Sequence, residues 1–123
     1  MPAASEQSPL SVVQTDSGGC LVLSVSGRVD HTNSASFLSE LQAGTEASKP
    51  GPGMVIDLSQ LEFITSAGLR GIVIANKAVA DAGGKLAISG LKKTVAEVFR
   101  ISRFDTLFPI GQSVEEAAAL VTQ

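Results

Sequence analysis

A short apolar run followed closely by a helical pattern constrains the fold of this chain more than any other feature. Residues 54–58 are apolar except for Asp57, which is typical of a central strand that is covered on both faces. From Ser66 to about Ala82 the apolar side chains recur at helical spacing beside a second, charged stripe, which indicates an amphipathic helix. A buried strand that leads directly into such a helix is characteristic of α/β proteins.

The chain before this unit predicts a β-hairpin. Residues 21–25 alternate between larger apolar and other side chains, as in a strand, and Gly27 follows as its predicted end. Residues 10–14 are suited to a partner strand, and the glycine-rich segment 16–19 supplies the turn between the two.

A first helix and a loop are predicted between the hairpin and the central strand. Apolar side chains recur at helical spacing after Thr32 or Asn33, either of which is a suitable N-cap, and Gly44 is a suitable C-cap. Residues 44–53 hold three glycines and two prolines, which predicts a surface loop.

The rest of the chain continues the alternation of strands and helices. Residues 85–89 predict a strand, 92–101 a third helix, and 107–110 a terminal strand whose proline favours a sheet edge. Residues 113–116 have the spacing of a capping box that opens a last helix. We therefore predict a single α/β domain with a mixed sheet of about four or five strands and about four α-helices.

Composition limits the classes of function. The 123 residues fit one domain, expected over 10–123, after a small polar tail at 1–9 that has no secretory character. The net charge of −3 and the absence of Trp and Tyr disfavour nucleic acid as a partner. No apolar run is long enough to span a membrane, and Cys20, the single cysteine, is expected to be buried. We expect a cytoplasmic protein whose partners are proteins.

Ser66 is the residue whose position suggests chemistry. It lies at the predicted start of a helix, where unpaired N–H groups and the helix dipole favour an anion. A phosphate there would add about −1.5 to −2 charge without disturbing the domain, and it would hinder docking of an apolar or acidic partner surface. Position alone favours a simpler interpretation, in which Thr65 or Ser66 serves only as an N-cap.

Three segments resemble the sulphate transporter and anti-sigma antagonist (STAS) family. The strand-to-helix segment 55–69 reads Val-Ile-Asp-Leu-Ser-Gln-Leu-Glu-Phe-Ile-Thr-Ser-Ala-Gly-Leu, which resembles the family's signature. Gly27-Arg28-Val29-Asp30 is similar to its Gly-x-apolar-Asp element, and 83–86, Gly-Gly-Lys-Leu, to the glycine pair before its next strand. The order of elements agrees with the family from about residue 10 to 120.

The resemblance implies a function as an anti-sigma factor antagonist. Bacterial members of this length bind an anti-sigma factor that is also a serine kinase, and they thereby release a sigma factor; phosphorylation weakens that complex and a serine phosphatase reverses it. Carried over, Ser66 would be the phosphoacceptor, and Asp30 would lie near it and help to shape the partner surface. The family pattern differs at two positions, since Thr65 replaces a frequent Asp and Ala67 a frequent Ser, so Thr65 is a second candidate acceptor.

One face of the second helix is a candidate partner surface. On a helical wheel Ala67, Gly71, Ile74 and Ala78 lie together, nearly opposite the core stripe. We hypothesise that this face docks the partner with Thr65, Ser66 and Gly68 at its edge. In the alternative, the face packs beneath another element of the same domain.

Other candidate sites are weaker. Asp30-His31 has no triad or metal-spaced companions, so His31 is expected at the surface or at a cap. Asp57 at a strand end resembles the acceptor of a response-regulator receiver but lacks an acidic cluster for a cation, so a hydrogen-bonding role in the following turn is expected. Lys92-Lys93 is interpreted as a solvated helix start rather than an anion site.

Three classes of function therefore remain. The first is a binding protein with a serine switch, and the second is a STAS module that serves without phosphorylation in a transporter-associated or stress-signalling assembly. The third, a nucleotide-binding domain or enzyme, is the weakest because neither phosphate-binding glycine motif is present. We predict no catalytic residue, no metal and no cofactor.

Overall fold

Five strands form one sheet at the centre of the domain. The computed structural model describes residues 10–17, 19–47 and 53–122. The strands are β1 (Ser11–Ser17), β2 (Cys20–Val29), β3 (Gly53–Ile64), β4 (Lys85–Ser89) and β5 (Ile110–Gly111), and they lie in that order across the sheet. β1 pairs with β2 antiparallel, and the other neighbours are parallel. The predicted mixed sheet and opening hairpin are confirmed.

Helices cover both faces of this sheet. They are α1 (Ser34–Ala47), α2 (Ser66–Asp81), α3 (Lys93–Ile101) and α4 (Val114–Thr122), and a short 3₁₀ helix, Phe104–Thr106, follows α3. The boundaries of α2 and β4 agree with the prediction to within one residue, and α3 differs only because Lys92 stands at its N-cap. The predicted α/β fold is therefore confirmed.

Alternate side chains of the central strands enter two separate hydrophobic cores. In β3, Met54 and Ile56 belong to the larger core and Val55 to the smaller one. The larger core lies beneath α1, α2 and α3, whereas the smaller one lies beneath α4, which contributes the small side chains Ala117, Ala118 and Val121. Because residues 54–56 of β3 are buried on both faces of the sheet, this part of the strand is a continuous apolar run rather than an alternating one.

β2 and β3 both extend beyond the strands predicted from the sequence. The prediction that β2 ends at Gly27 is wrong, because the strand continues to Val29 with Gly27 at φ 93°. The register with β3 shifts between Gly27 and Arg28, so the glycine allows a bend inside the strand rather than ending it. Both strands then finish side by side, with Val29 opposite Ile64.

Gly44 is not the C-cap of α1, and the predicted loop at 44–53 therefore begins too early. The helix continues to Ala47, and Gly44 lies buried in its interior. A Cβ at this position would lie 2.6 Å from Leu23 Cδ1, so the glycine lets α1 approach β2 closely. Residues 48–52, the rest of the predicted loop, lie outside the described residues.

The C-terminal part of the sheet is shorter than predicted. Instead of a strand over 107–110, only Ile110 and Gly111 pair with β4, because the 3₁₀ helix occupies the chain just before. The predicted edge position is confirmed.

The predicted capping box at the start of α4 forms. Ser113 Oγ accepts a hydrogen bond of 3.1 Å from Glu116 N. Glu116 Oε1 accepts one of 2.7 Å from Gln112 N, one residue before the Ser113 N–H that a capping box normally uses.

Cys20 is fully buried, as predicted. Its Sγ lies 3.9 Å from the carbonyl oxygen of Ala118 in α4, and burial raises the pKa of the thiol.

Within ranges 10–17, 19–47 and 53–122, none of the helices has the length and hydropathy that a membrane crossing requires. The tail predicted at 1–9 lies outside the described residues.

Candidate functional site

The chain turns from β3 into α2 at Thr65 and Ser66. Thr65 has an extended backbone, and its Oγ1 accepts a long hydrogen bond of 3.4 Å from Gly68 N, so Thr65 is the N-cap of α2. Ser66 is the first helical residue and is exposed. Within the described part of the chain its hydroxyl makes no hydrogen bond. The capping role that the sequence left open between these two residues therefore belongs to Thr65.

The electrostatic environment at the start of α2 favours an anion. The first turn contains no acidic side chain, and unpaired backbone N–H groups and the helix dipole give this end a partial positive charge. Arg70 lies one turn after Ser66 on the same side of the helix and is exposed. A negative group on Ser66 would therefore be accommodated by both the backbone and a nearby guanidinium.

Asp30 follows Val29 at the end of β2, and this strand end adjoins the turn. Thr65 N donates a hydrogen bond of 3.0 Å to Val29 O, which joins the end of β2 to the start of α2. Asp30 Oδ1 accepts hydrogen bonds from the backbone N and the hydroxyl of Thr32, and Asp30 N donates to Asn33 Oδ1 at 2.9 Å. The hydrogen bond from the Thr32 hydroxyl is the main reason that the pKa of Asp30 is lowered, so a fixed carboxylate borders the site.

The predicted docking face of α2 is only partly exposed. Ala67 is exposed, Ile74 is 41% exposed and Ala78 is half-buried. Gly71 is buried beneath α1, where a Cβ would lie 3.7 Å from a ring carbon of Phe37, so its placement on a free surface is wrong and the alternative of intramolecular packing holds there. Gly68 is also buried, and it faces the interior of the domain rather than the edge of a partner surface.

A shallow groove between α1 and α2 contains what remains of that face. Its volume is about 230 Å³, and it is lined by Ser34, Ala35, Leu38, Ala67, Arg70, Gly71 and Ile74. Ser66 lies immediately before this groove in α2, so hydroxyl and groove share one end of the helix. The α1 residues were missed because they are some 30 positions away in the sequence, whereas Arg70 could have been found from its spacing of four from Ser66.

The other residues singled out in the sequence have structural roles or none. Asp57 Oδ1 accepts hydrogen bonds from Ser59 N at 3.1 Å and Ser89 Oγ at 3.2 Å, close to the role expected for it. Lys92 forms an ion pair of 2.7 Å with Glu62, and His31 is exposed. In the part of the chain that the structure describes, no three His, Cys, Asp or Glu side chains are grouped so as to hold a metal.

Comparison with known proteins identifies relatives across nearly the whole chain. Residues 11–117 match the STAS domain. BtrV of Bordetella bronchiseptica, provisionally named an anti-sigma factor antagonist, is 38% identical over 101 residues, which cover 82% of this chain and 85% of BtrV.

Solved structures agree with this match. An anti-sigma factor antagonist from Mycobacterium paratuberculosis superposes with a TM-score of 0.82 at 23% identity, covering 94% of this chain and 96% of that one. The anti-sigma factor antagonist SpoIIAA in its unphosphorylated form gives 0.72 at 16% identity over 93% and 96%. The phosphorylated form of SpoIIAA, from Bacillus, gives 0.65 at 15% identity over 92% and 99%. The chain therefore belongs to the STAS domain family.

Proposed function

We propose that this chain is an anti-sigma factor antagonist that is controlled by phosphorylation of Ser66. In this proposal it binds an anti-sigma factor that is also a serine kinase, and so frees a sigma factor. The kinase releases itself by phosphorylating Ser66, and a serine phosphatase restores the binding form. The antagonist function is supported by the names of BtrV, of the Mycobacterium paratuberculosis antagonist and of SpoIIAA.

The observation that supports a phosphorylation switch is that Thr65 and Ser66 have different roles at the start of α2. Thr65 caps α2, so the fold does not depend on the Ser66 hydroxyl. Ser66 is exposed and its hydroxyl is available at the end of the helix where an anion is best tolerated. Phosphorylation of Ser66 would therefore change the surface without removing a structural hydrogen bond.

The groove explains how such a change would weaken a complex. Leu38, Ala67 and Ile74 give it an apolar lining, so a partner that docks there must exclude water from the same end of α2. A phosphate of about −1.5 to −2 charge on Ser66 would have to be desolvated or displaced when the partner docks. The result is a lower affinity for an apolar or acidic partner surface.

The side chains at this site fit a ligand and substrate of other proteins better than a catalyst. The Ser66 hydroxyl has no base bonded to it within the described residues, and Asp30 is committed to hydrogen bonds from Thr32. Nucleophilic catalysis by serine would need an activating base within hydrogen-bond distance. We therefore place the chemistry of the switch on the kinase and the phosphatase.

A second candidate function is a STAS module that binds constitutively. It is favoured by Thr65, which stands where regulated family members often carry Asp and which here has a structural role as the cap. In that case Ser66 is unmodified and the groove is a permanent interface in a transporter-associated or stress-signalling assembly.

Phosphosite mapping separates the two candidates. Wild type, Ser66→Ala and Thr65→Ser are incubated with ATP and the candidate anti-sigma kinase of the host, and intact mass and fragment spectra are recorded. We expect one phosphate on Ser66 in wild type and Thr65→Ser, and none in Ser66→Ala. Phosphate on residue 65 would show that this residue, and not Ser66, is the acceptor. If a kinase that is active on a control substrate adds no phosphate to this chain, the constitutive module is favoured.

Binding completes the test. Affinity for the anti-sigma factor is measured by calorimetry with unmodified and phosphorylated protein. We expect phosphorylation to weaken binding at least tenfold, about 1.4 kcal/mol. Equal affinities would refute the switch even if Ser66 is modified.

A further inference from the structure

The two edges of the sheet differ in how they are protected. β5 has only two residues and follows Pro109. β1 has seven residues, pairs with β2 at every one without a register shift, and contains neither Lys nor Pro. Short strands, lysines, prolines and bulges are the usual means of blocking an exposed edge. β1 therefore lacks these four features, and Asp16 is its one charged residue.

The register of the hairpin shows which backbone groups of β1 are available. Ser17 and Cys20 pair directly across a two-residue connection, so they form a hydrogen-bonded pair. Because hydrogen-bonded and non-hydrogen-bonded pairs alternate, Val13 and Thr15 also bond to β2. The N–H and C=O groups of Val12, Gln14 and Asp16 therefore point away from the sheet, where no described strand lies.

A groove between β1 and α1 accompanies this open edge. It has a volume of about 350 Å³ and is lined by Leu10, Val12, Asn33, Ser36 and Glu40. Val12 packs against the larger core beneath α1, so Gln14 and Asp16, two and four residues on, have their side chains on the same face. In a strand added beside β1, the residues opposite these three would also point towards α1.

The charged residue among the described lining of this groove is the acidic Glu40. Glu40 is exposed and forms no ion pair within the described residues, and Asp16 is exposed on the same face. Leu10 and Val12 supply an apolar floor. A Lys or Arg side chain can lay its aliphatic stem on such a floor and place its charge beside the carboxylate of Glu40.

We propose that the β1 edge and its groove bind an extended, basic segment of a partner protein by β-strand addition. The backbone of the segment pairs with Val12, Gln14 and Asp16. Its basic side chains alternate with β-branched ones, the former facing Glu40 and Asp16 and the latter lying opposite Val13 and Thr15. This surface lies on the side of α1 that faces β1, whereas the groove next to Ser66 lies between α1 and α2.

A second copy of the chain fits the same edge less well. If two β1 strands pair antiparallel about Gln14, Asp16 of one copy lies opposite Val12 of the other, on the face that carries Glu40. Asp16 of each copy then approaches Glu40 of the other copy. Repulsion between these carboxylates disfavours self-association. The charge pattern therefore favours a basic partner segment.

A peptide designed on this register tests the proposal. The capped peptide Thr-Lys-Val-Thr-Val-Lys-Thr places its lysines opposite Val12 and Asp16, and its control carries Glu in place of both lysines. Each is titrated into the full chain and followed by ¹H–¹⁵N NMR. We expect the lysine peptide to shift the amide signals of residues 11–17 and of Glu40, and the glutamate peptide to leave them unchanged.

Two pairs of experiments identify the contacts. Gln14→Pro removes an outward N–H without removing a β1–β2 hydrogen bond, and Gln14→Ala keeps that N–H while removing the same side chain. We expect the dissociation constant of the lysine peptide to rise about tenfold in Gln14→Pro and to stay near the wild-type value in Gln14→Ala. Glu40→Lys, which leaves the backbone unchanged, is expected to weaken the lysine peptide and to strengthen the glutamate one.

The proposal is overturned by any of three results. They are an absence of shifts in β1 at millimolar peptide, equal binding of both peptides, and equal binding by the two Gln14 variants when both are folded by circular dichroism. Shifts in β1 that depend on protein concentration alone would also overturn it, in favour of pairing between two copies.

Discussion

Thr65 and Ser66 are chemically similar neighbours whose positions at the start of α2 give them different roles. The extended backbone of Thr65 lets its Oγ1 return to Gly68 N, and the same residue donates its own N–H to Val29 O. Thr65 thus joins three elements, whereas Ser66 makes no side-chain hydrogen bond in the described chain. A modification enzyme needs an accessible hydroxyl that the fold does not require, and of these two residues Ser66 meets both conditions.

Two glycines of α2 provide a matched test of how closely this helix packs. A Cβ on Gly68 would lie 2.6 Å from Val29 Cγ1 and 2.7 Å from Ile64 Cγ1, and both of these β-branched side chains are buried. A Cβ on Gly71 would be in ordinary contact, 3.7 Å or more from its neighbours. We expect Gly68→Ala to lower the free energy of unfolding by about 1–2 kcal/mol, because overpacking exceeds the gain in helix propensity.

Gly71→Ala is the control, since the same helix gains the same methyl group at ordinary contact distance from its neighbours. We expect it to be neutral or to stabilise the protein by up to about 1 kcal/mol. Urea unfolding of both variants measures the difference. Equal effects of the two substitutions would contradict the close packing of the α2 start against the ends of β2 and β3.

At the scale of elements, α1 and α2 form a pair that creates the groove next to Ser66. Gly44 lets α1 approach the sheet closely, whereas Gly71 is buried beneath α1 with room for a methyl group at ordinary contact distance. Ile74 stays 41% exposed beside this contact. An exposed isoleucine in a groove that Leu38 and Ala67 also line is a suitable apolar anchor for a partner.

Ile74→Glu tests that anchor. We expect affinity for the anti-sigma factor to fall at least tenfold, about 1.4 kcal/mol, because the charge would be desolvated on docking, while stability changes little at this partly exposed position. Leu107→Glu is a matched control at an apolar residue that is 55% exposed after the 3₁₀ helix, and binding there should be unchanged. Normal binding by a folded Ile74→Glu protein would remove the groove from the interface.

At the scale of the whole molecule, the two cores differ in size and composition. The larger one joins three helices to the sheet, whereas the smaller one depends on α4 and on side chains such as Val22, Val55 and Ala87. The smaller core buries less apolar area, and hydrophobic stabilisation is roughly proportional to that area. α4 is therefore the element that we expect to detach most easily.

Cys20 reports on that detachment, since it is fully buried in the smaller core against α4. We expect its thiol to react slowly with a disulfide reagent in the native protein, because burial both excludes the reagent and raises the pKa of the thiol. In a urea series, labelling should begin below the main unfolding transition followed by circular dichroism. Labelling that coincides with global unfolding would show that both cores melt together.

Local patterns in the sequence were sufficient for most individual elements. The helical spacing of α2 and the strand β4 are properties of contiguous residues, and both were predicted close to their observed bounds. The apolar run 54–58 predicted only the first half of β3. The resemblance to the STAS family also rested on contiguous motifs, of which 55–69 was the most specific. It indicated Ser66 and Asp30, which lie just after the ends of the neighbouring strands β3 and β2.

Tertiary structure decided the helix ends, covered faces and strand lengths that depend on residues far apart in the sequence. Gly44 looked like a helix end because the nearby sequence does not show Leu23, and Gly71 looked exposed because a helical wheel does not show α1. The length of β2 beyond Gly27 likewise depends on its partner β3. The sequence by itself thus determined the order of elements, the family and the candidate acceptor, since these follow from local spacing and motif. Only the folded chain decided which helix faces are covered, which hydroxyl caps α2 and where the grooves lie, because each depends on contacts between segments far apart in sequence.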